Sequence, residues 1–273
     1  MNRYRKGTLT LEIILYAVAI VYLIPVYVLV VSAFKRPDDP TPQLVPTTHP
    51  TLANFTEAWT SANLGRAAIS SIVVTVASVG LLVVTASLAA YPLARVTARW
   101  SRLAYATFVF GLLLPFQLAL IPLYVTMRNL GLVGGVWSLV LLYAGVQMPL
   151  CIFLYTEFLR SVPRDYDEAA ALDGANRLQA FWHVILPMVR PITGTVVILN
   201  AVAIWNDFYT PLLFLTGSGN ATLPLAVYTF VSTYGAQWHL IFASLIMTSV
   251  PILIAFLAMQ KAVFRGYSSG LKG

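Results

Sequence analysis

Six apolar runs, each more than twenty residues long, leave this chain little choice of fold. They fall at approximately Leu11–Phe34, Ile69–Leu93, Leu103–Met127, Val136–Leu159, Ile192–Leu215 and Leu240–Val263. A bilayer core of about 30 Å needs roughly 20 apolar residues in a helix, so each run reads as one crossing. Composition points the same way. Charged residues make up only 10% of the 273, against about 25% in a soluble domain, too few to cover a water-facing surface. The expected fold is an all-α integral membrane protein with six transmembrane helices, one domain over residues 1–273. The first run exceeds the roughly 7–15-residue core of a signal peptide and lacks a small-residue cleavage site, so it reads as a retained span. Cys151 is the only cysteine and lies inside an apolar run, which excludes a disulfide framework or a Cys-based metal site.

The formal charge of +7 could suggest nucleic acid, but its distribution decides otherwise. Arg3, Arg5 and Lys6 precede the first run; Arg95, Arg99 and Arg102 join the second to the third. Arg160, Arg164, Arg177 and Arg190 join the fourth to the fifth, and Lys261, Arg265 and Lys272 follow the sixth. That places thirteen basic residues on one side against four, Lys35, Arg36, Arg66 and Arg128, on the other. By the positive-inside rule both termini are cytoplasmic, and nucleic acid is not an expected partner. The opposite side carries a long connection, 35–66, with five prolines that favour extended chain. Within it, "ANFTEAW" (53–59) can form a short interfacial helix. Asn54-Phe55-Thr56 fits a glycosylation sequon, with nothing else to suggest a eukaryotic secretory setting. No internal repeat is visible, which weighs against an inverted-repeat carrier.

The cytoplasmic connection 160–191 is unusually polar for this chain. Asp165 and Glu168 have the spacing of a capping box at a helix start. Ala169, Ala170 and Ala171 extend that helix, and Gly174 supplies a left-handed stop. A second helix follows through Phe181, Trp182, Ile185 and Leu186, until Pro187 and Pro191 interrupt it. Alanines permit close approach of another surface, and the aromatic pair can pack the hairpin onto the membrane helices. On physics alone an ordinary amphipathic loop with a good cap would fit equally well.

The residues are more specific than that. Glu168-Ala169-Ala170, then Asp173-Gly174-Ala175, then Ile185-Leu186-Pro187 resembles the EAA loop of bacterial ABC-importer permeases. "LAAYPLAR" (88–95) and "WNDFYTPLLFL" (205–215) resemble stretches of the carbohydrate-uptake permeases, and "QKAVFRGYSSGLKG" (260–273) is similar to the tail of the maltose-permease second-subunit type. The resemblance implies six spans with a coupling loop between the fourth and fifth. It implies that Glu168, Ala169, Ala170, Asp173, Gly174, Ile185, Leu186 and Pro187 engage an ATP-binding cassette ATPase dimer. ATP and magnesium then belong to that partner; this chain has no G-x-x-x-x-G-K-[ST] loop and binds no cofactor of its own. The resemblance further implies a homologous second permease subunit, an extracytoplasmic sugar-binding protein and a bacterial or archaeal cytoplasmic membrane.

Other chemistries find little support. His49, His183 and His239 are scattered without metal-ligand spacing, and no G-x-S-x-G elbow is present. An ion-coupled carrier needs intramembrane ionisable groups, and the sequence offers chiefly Asp207, with Glu12 and Glu157 near span ends. A scaffold protein would show no dependence on an ATPase or a solute. For a substrate path the candidates are Gln117, Tyr143, Gln147, Asn200, Asn206 and Asp207, polar or aromatic groups suited to a sugar's hydroxyls and ring. Asn200 and Asp207, seven apart, are expected on one helix face, as are Tyr143 and Gln147, four apart. Each could equally serve to hold helices together. Ala86 and Ala90 read as close helix packing. A neutral mono-, di- or oligosaccharide is the preferred substrate over a glycerol phosphate ester, because no cluster of intramembrane basic residues is present.

Overall fold

The computed structural model describes residues 6–232 and 235–270. Arg3, Arg5 and Lys272, which entered the charge count, and the last three residues of the tail motif lie outside the described residues. The regular structure among the described residues is helical apart from one antiparallel pair, β1 (Val231–Ser232) and β2 (Gly235–Ala236), with Val231 opposite Ala236.

In chain order the helices are α1 (Lys6–Ala33), α2 (Ala53–Ser61), α3 (Leu64–Arg95), α4 (Arg99–Gly111), α5 (Phe116–Asn129), α6 (Val136–Val146) and α7 (Met148–Ser161). Then come α8 (Asp165–Leu172), α9 (Arg177–Met188), α10 (Arg190–Asn206), α11 (Tyr209–Leu215), α12 (Leu223–Val227) and α13 (Trp238–Gly270). Three helices contain segments long and apolar enough to cross a membrane unbroken: Leu11–Ala33, Leu64–Arg95 and Trp238–Ala258.

The other three runs are not single rods, which corrects the expectation of continuous spans. The pair α4/α5 bends by 101° and α6/α7 by 45°, and α9/α10 bends by 74° just before the run that starts at Ile192. Each bend has a proline beside it: Pro115 caps α5, Pro149 lies in the first turn of α7, and Pro191 in the first turn of α10. Proline removes an N–H and its ring crowds the carbonyl four residues back. The run 192–215 is interrupted as well, because α10 ends at Asn206 and α11 starts at Tyr209. Pro211 is the cause we assign: a continuous helix would drive its ring against the carbonyl of Asp207. Asp207 is extended instead, at φ −71° and ψ 128°.

The described chain divides into two compact units. The first takes the described part of Met1–Gly65 with Ala226–Val250. Its proline-rich stretch after α1 is pinned and not loose. Lys35, buried, donates to the Thr41 carbonyl and hydroxyl and to the Pro42 carbonyl. Asn54 is 1% exposed and spends its amide on the carbonyls of Ala33 and Lys35, so the sequon residue is a buried tie. The short helix expected at 53–59 is present as α2.

The second unit takes Arg66–Leu225 with the described part of Pro251–Gly273 and holds two apolar clusters. One gathers Leu82, Ala86, Ala90 and Leu93 of α3 with Cys151, Ile152, Tyr155 and Leu159 of α7, and Phe181, Ile185 and Val189 of the 160–191 segment. Ala86 and Ala90 are fully buried there, as close helix packing requires. The other joins Val74 and Val79 of α3 to Leu139, Leu142 and Tyr143 of α6, Ile204 of α10 and Phe214 and Leu215 of α11.

Candidate functional site

The 160–191 segment folds as a short helix, a turn and a second helix. α8 carries Asp165, Asp167 and Glu168 in its first turn, where acids favour the positive end of the helix dipole. The capping box anticipated at Asp165 and Glu168 is not there, since Arg164 is the N-cap and makes no side-chain cap bond. It forms one helix later. Asn176 accepts from the Gln179 N–H at 2.9 Å, and the Gln179 side chain accepts from the Asn176 N–H at 2.8 Å. Two open donors at the start of α9 are thereby satisfied.

Gly174 stops α8 as its sequence position suggests. Its φ is +81°, a left-handed conformation that glycine adopts without steric cost. Around it the Ala175 N–H reaches the Ala170 carbonyl at 2.9 Å and the Gly174 N–H reaches Ala171 at 3.1 Å, the two bonds of a Schellman motif. The turn leaves Glu168, Ala169, Asp173 and Gly174 exposed and directs Ala170 inward. Leu172 stands 90% exposed, and Tyr166 and Leu178 are also largely uncovered.

The second helix departs from the expected form. A π-turn occupies Phe181–Ile185, directly before Leu186 and Pro187. Pro187 does not end the helix. The chain bends only at Val189, whose ψ of 3° leaves the helical range. Phe181 and Ile185 are buried in the cluster with α3 and α7, and Leu186 is packed against it. The aromatic pair thus splits: Phe181 anchors the segment, its ring 5.7 Å from that of Tyr91, while Trp182 is 41% exposed.

A set of contacts that the sequence did not single out joins α8 to α3. The Tyr91 hydroxyl donates to Asp167 Oδ1 at 2.5 Å, and Arg95 Nε stands 2.9 Å from Asp167 Oδ2. Arg95 Nη1 also donates to the carbonyls of Leu159 and Val162 at the end of α7. Tyr91 and Arg95 are one turn apart, and a tyrosine and an arginine at i and i+4 closing an apolar run was the available signal. Arg95 counts in the sequence as a basic charge and as the end of "LAAYPLAR" (88–95), neither of which assigns it a partner.

The path candidates fall into separate places. Tyr143 is buried and donates to Asp207 Oδ2 at 2.9 Å, so α6 meets the break between α10 and α11. Asp207 Oδ1 also receives the Thr210 N–H at 3.4 Å, a weak cap on α11. Asn200 does not join them. It is 1% exposed and donates to the Val196 carbonyl and to Cys151 Sγ, and the helix that would align it with Asp207 ends at Asn206. Asn206 is exposed and bonds its own helix at Val202. Gln147 is the half-buried hinge between α6 and α7, its N–H still on the Tyr143 carbonyl. Gln117 is exposed in the first turn of α5.

Apolar helices broken at prolines, with a capped helical hairpin set between two of them, define a helical protein with segments apolar enough to cross a membrane. Residues 82–269 match the family described as the binding-protein-dependent transport system inner membrane component, and the chain belongs to it. It is 34% identical to the melibiose/raffinose/stachyose import permease protein MelC of Bacillus subtilis (strain 168), over 93% of this chain and 92% of that one. It is 36% identical to the multiple sugar-binding transport system permease protein MsmG of Streptococcus mutans, covering 92% of each. With the diacetylchitobiose uptake system permease protein NgcG of Streptomyces coelicolor the identity is 32%, over 92% of this chain and 84% of that one. The fold matches a chain of a bacterial ABC transporter that imports the acidic polysaccharide alginate, with a TM-score of 0.83 at 19% identity, over 96% of this chain and 99% of that one.

Proposed function

We propose that this chain is a permease subunit of an ATP-driven importer for a neutral mono-, di- or oligosaccharide. It forms half of a translocation path with a homologous second permease. An extracytoplasmic sugar-binding protein delivers the substrate, and an ATPase dimer holding ATP and magnesium drives the cycle. Residues 1–273 form one permease domain with six crossings, α4/α5, α6/α7 and α10/α11 each counted as one, and with both termini cytoplasmic in a bacterial or archaeal membrane. The observation that carries this reading is α8. It is a short helix closed by a glycine turn, backed by Phe181 and Ile185, and it presents Glu168, Ala169 and the 90% exposed Leu172 to a partner. An apolar side chain that open, on a capped hairpin, is available for docking into a cleft of another subunit. The substrate class rests on the sugars named for several relatives. The ATPase's closing and opening bias a bundle with two arrangements, with α8 as the lever. Tyr143 and Asp207 mark the point where α6 meets the broken span, and exposed Gln117 and Asn206 are available to sugar hydroxyls.

Replacing Glu168 by Lys or Leu172 by Asp tests the coupling role. Membrane level should hold while ATPase retention on purification falls by roughly tenfold, about 1.4 kcal/mol of docking energy, and sugar uptake falls with it. Normal uptake with both variants would sink the assignment.

A further inference from the structure

The covalent path from α8 into the membrane helices runs back through Pro163 to α7 and forward through α9 to α10. Neither route reaches α3, which lies about seventy residues earlier in the chain. Between α8, α9 and the end of α3 lies a cavity of about 540 Å³, lined among others by Leu88, Pro92, Val96, Ala171 and Leu178. Packing is therefore open on this side, and polar side chains bridge the gap. The Arg95 guanidinium touches three elements at once. It belongs to α3, its Nη1 takes the Leu159 and Val162 carbonyls at 2.8 and 3.0 Å, and its Nε pairs with Asp167 of α8 at 2.9 Å. Tyr91, one turn earlier, holds the second oxygen of the same carboxylate. The pair is sheltered, with side-chain exposures of 12% for Arg95 and 20% for Asp167, so water screens it little.

We infer that Arg95 is a positioning residue: with Tyr91 and Asp167 it forms the link through which displacement of α8 is passed to α3. The inference rests on the coupling role proposed for α8. One carboxylate oxygen is hydrogen-bonded by Tyr91 and the other is ion-paired with Arg95 of the same helix, so displacement of α8 either parts these contacts or carries the end of α3 along. The Nη1 contacts make the end of α7 move with them. A planar guanidinium can face two carbonyls and a carboxylate together, and an ammonium group cannot reproduce that fork.

The test uses the full transporter with its partner permease, ATPase and binding protein in proteoliposomes, and reads ATP hydrolysed per sugar transported. Arg95→Gln and Asp167→Asn should keep the ATPase bound within twofold of wild type while raising ATP per sugar at least fivefold. Tyr91→Phe should raise it about twofold, and Arg95→Lys should lie between Arg95→Gln and wild type. A residue that merely stabilised the fold would lower protein yield and leave the ratio unchanged. Should Arg95→Gln fail to accumulate, Tyr91→Phe decides, since it removes one hydroxyl only, and an unchanged ratio there overturns the inference. A wild-type chain that does not retain the ATPase would instead overturn the coupling role and the inference with it. A coupled wild type with every variant equal to it overturns the link alone.

Discussion

Gly174 carries a backbone requirement that its neighbours do not. An added Cβ would meet nothing within 4 Å, so space is not what excludes a side chain there. The φ of +81° is. A non-glycine residue in the left-handed region costs roughly 1–2 kcal/mol, with asparagine among the best tolerated. Gly174→Asn is therefore expected to keep uptake within about twofold of wild type, whereas Gly174→Val should unwind the turn and lower both ATPase retention and uptake severalfold, a β-branched residue being an outlier at that φ. Equal uptake from the two variants, measured at matched membrane levels, would show that the turn geometry is dispensable. In the loop after α1, Asp39 is another residue set by its surroundings: the Thr41 hydroxyl, the Thr47 hydroxyl and the Thr41 N–H lower its carboxyl to about 2.

Breaks shape the helices of the second unit as much as the helices themselves. The interruption between α10 and α11 frees backbone groups and places Asp207 there, where its carboxylate takes the Tyr143 hydroxyl and caps α11. A charge within a span costs roughly 2.5–3.5 kcal/mol on insertion scales, and these contacts offset part of that cost. Asp207→Asn should change little in melting of the purified complex, because an amide oxygen still accepts from Tyr143. Asp207→Leu removes the acceptor of a buried hydroxyl, leaving it only its contact with Thr210, and is expected to cost about 1–3 kcal/mol. Tyr143→Phe in that background should then recover part of the loss, because the two residues are coupled. Additive losses in the double variant would mean that the Tyr143–Asp207 contact does not tie α6 to the break. Uptake measured alongside separates a tie between helices from a sugar contact, since only the latter lowers transport by Asp207→Asn with assembly intact.

For the whole molecule the prediction is one of sidedness. By the positive-inside rule, thirteen basic residues against four predict both termini on the side of the 160–191 hairpin, and length and composition allow up to six crossings. Reporter fusions before Met1 and after Gly273 should both register as cytoplasmic. An external reading at either end would mean that one of the bent pairs enters and leaves on the same side.

Hydropathy was enough to read the membrane class and the places of the helical runs, and cap and stop residues were enough to read the hairpin near Gly174, because burial in lipid and a left-handed turn each impose a local requirement on residue type. Local rules also carried the α8 stop and the packing of Ala86 and Ala90. They failed where two local solutions compete. Asp165–Glu168 and Asn176–Gln179 both fit a cap, and only the second is used. Pro187 and Pro191 both fit a break, and the chain bends at Val189 because the π-turn at Phe181–Ile185 absorbs the first of them. Contacts such as Arg95 with Asp167, Tyr143 with Asp207 and Asn200 with Cys151 join residues 49 to 72 apart in the chain. No period or spacing encodes them. They exist because packing of separate helices brings polar groups together in buried surroundings, where an unpaired polar group is costly, and that is decided only when the helices are in place.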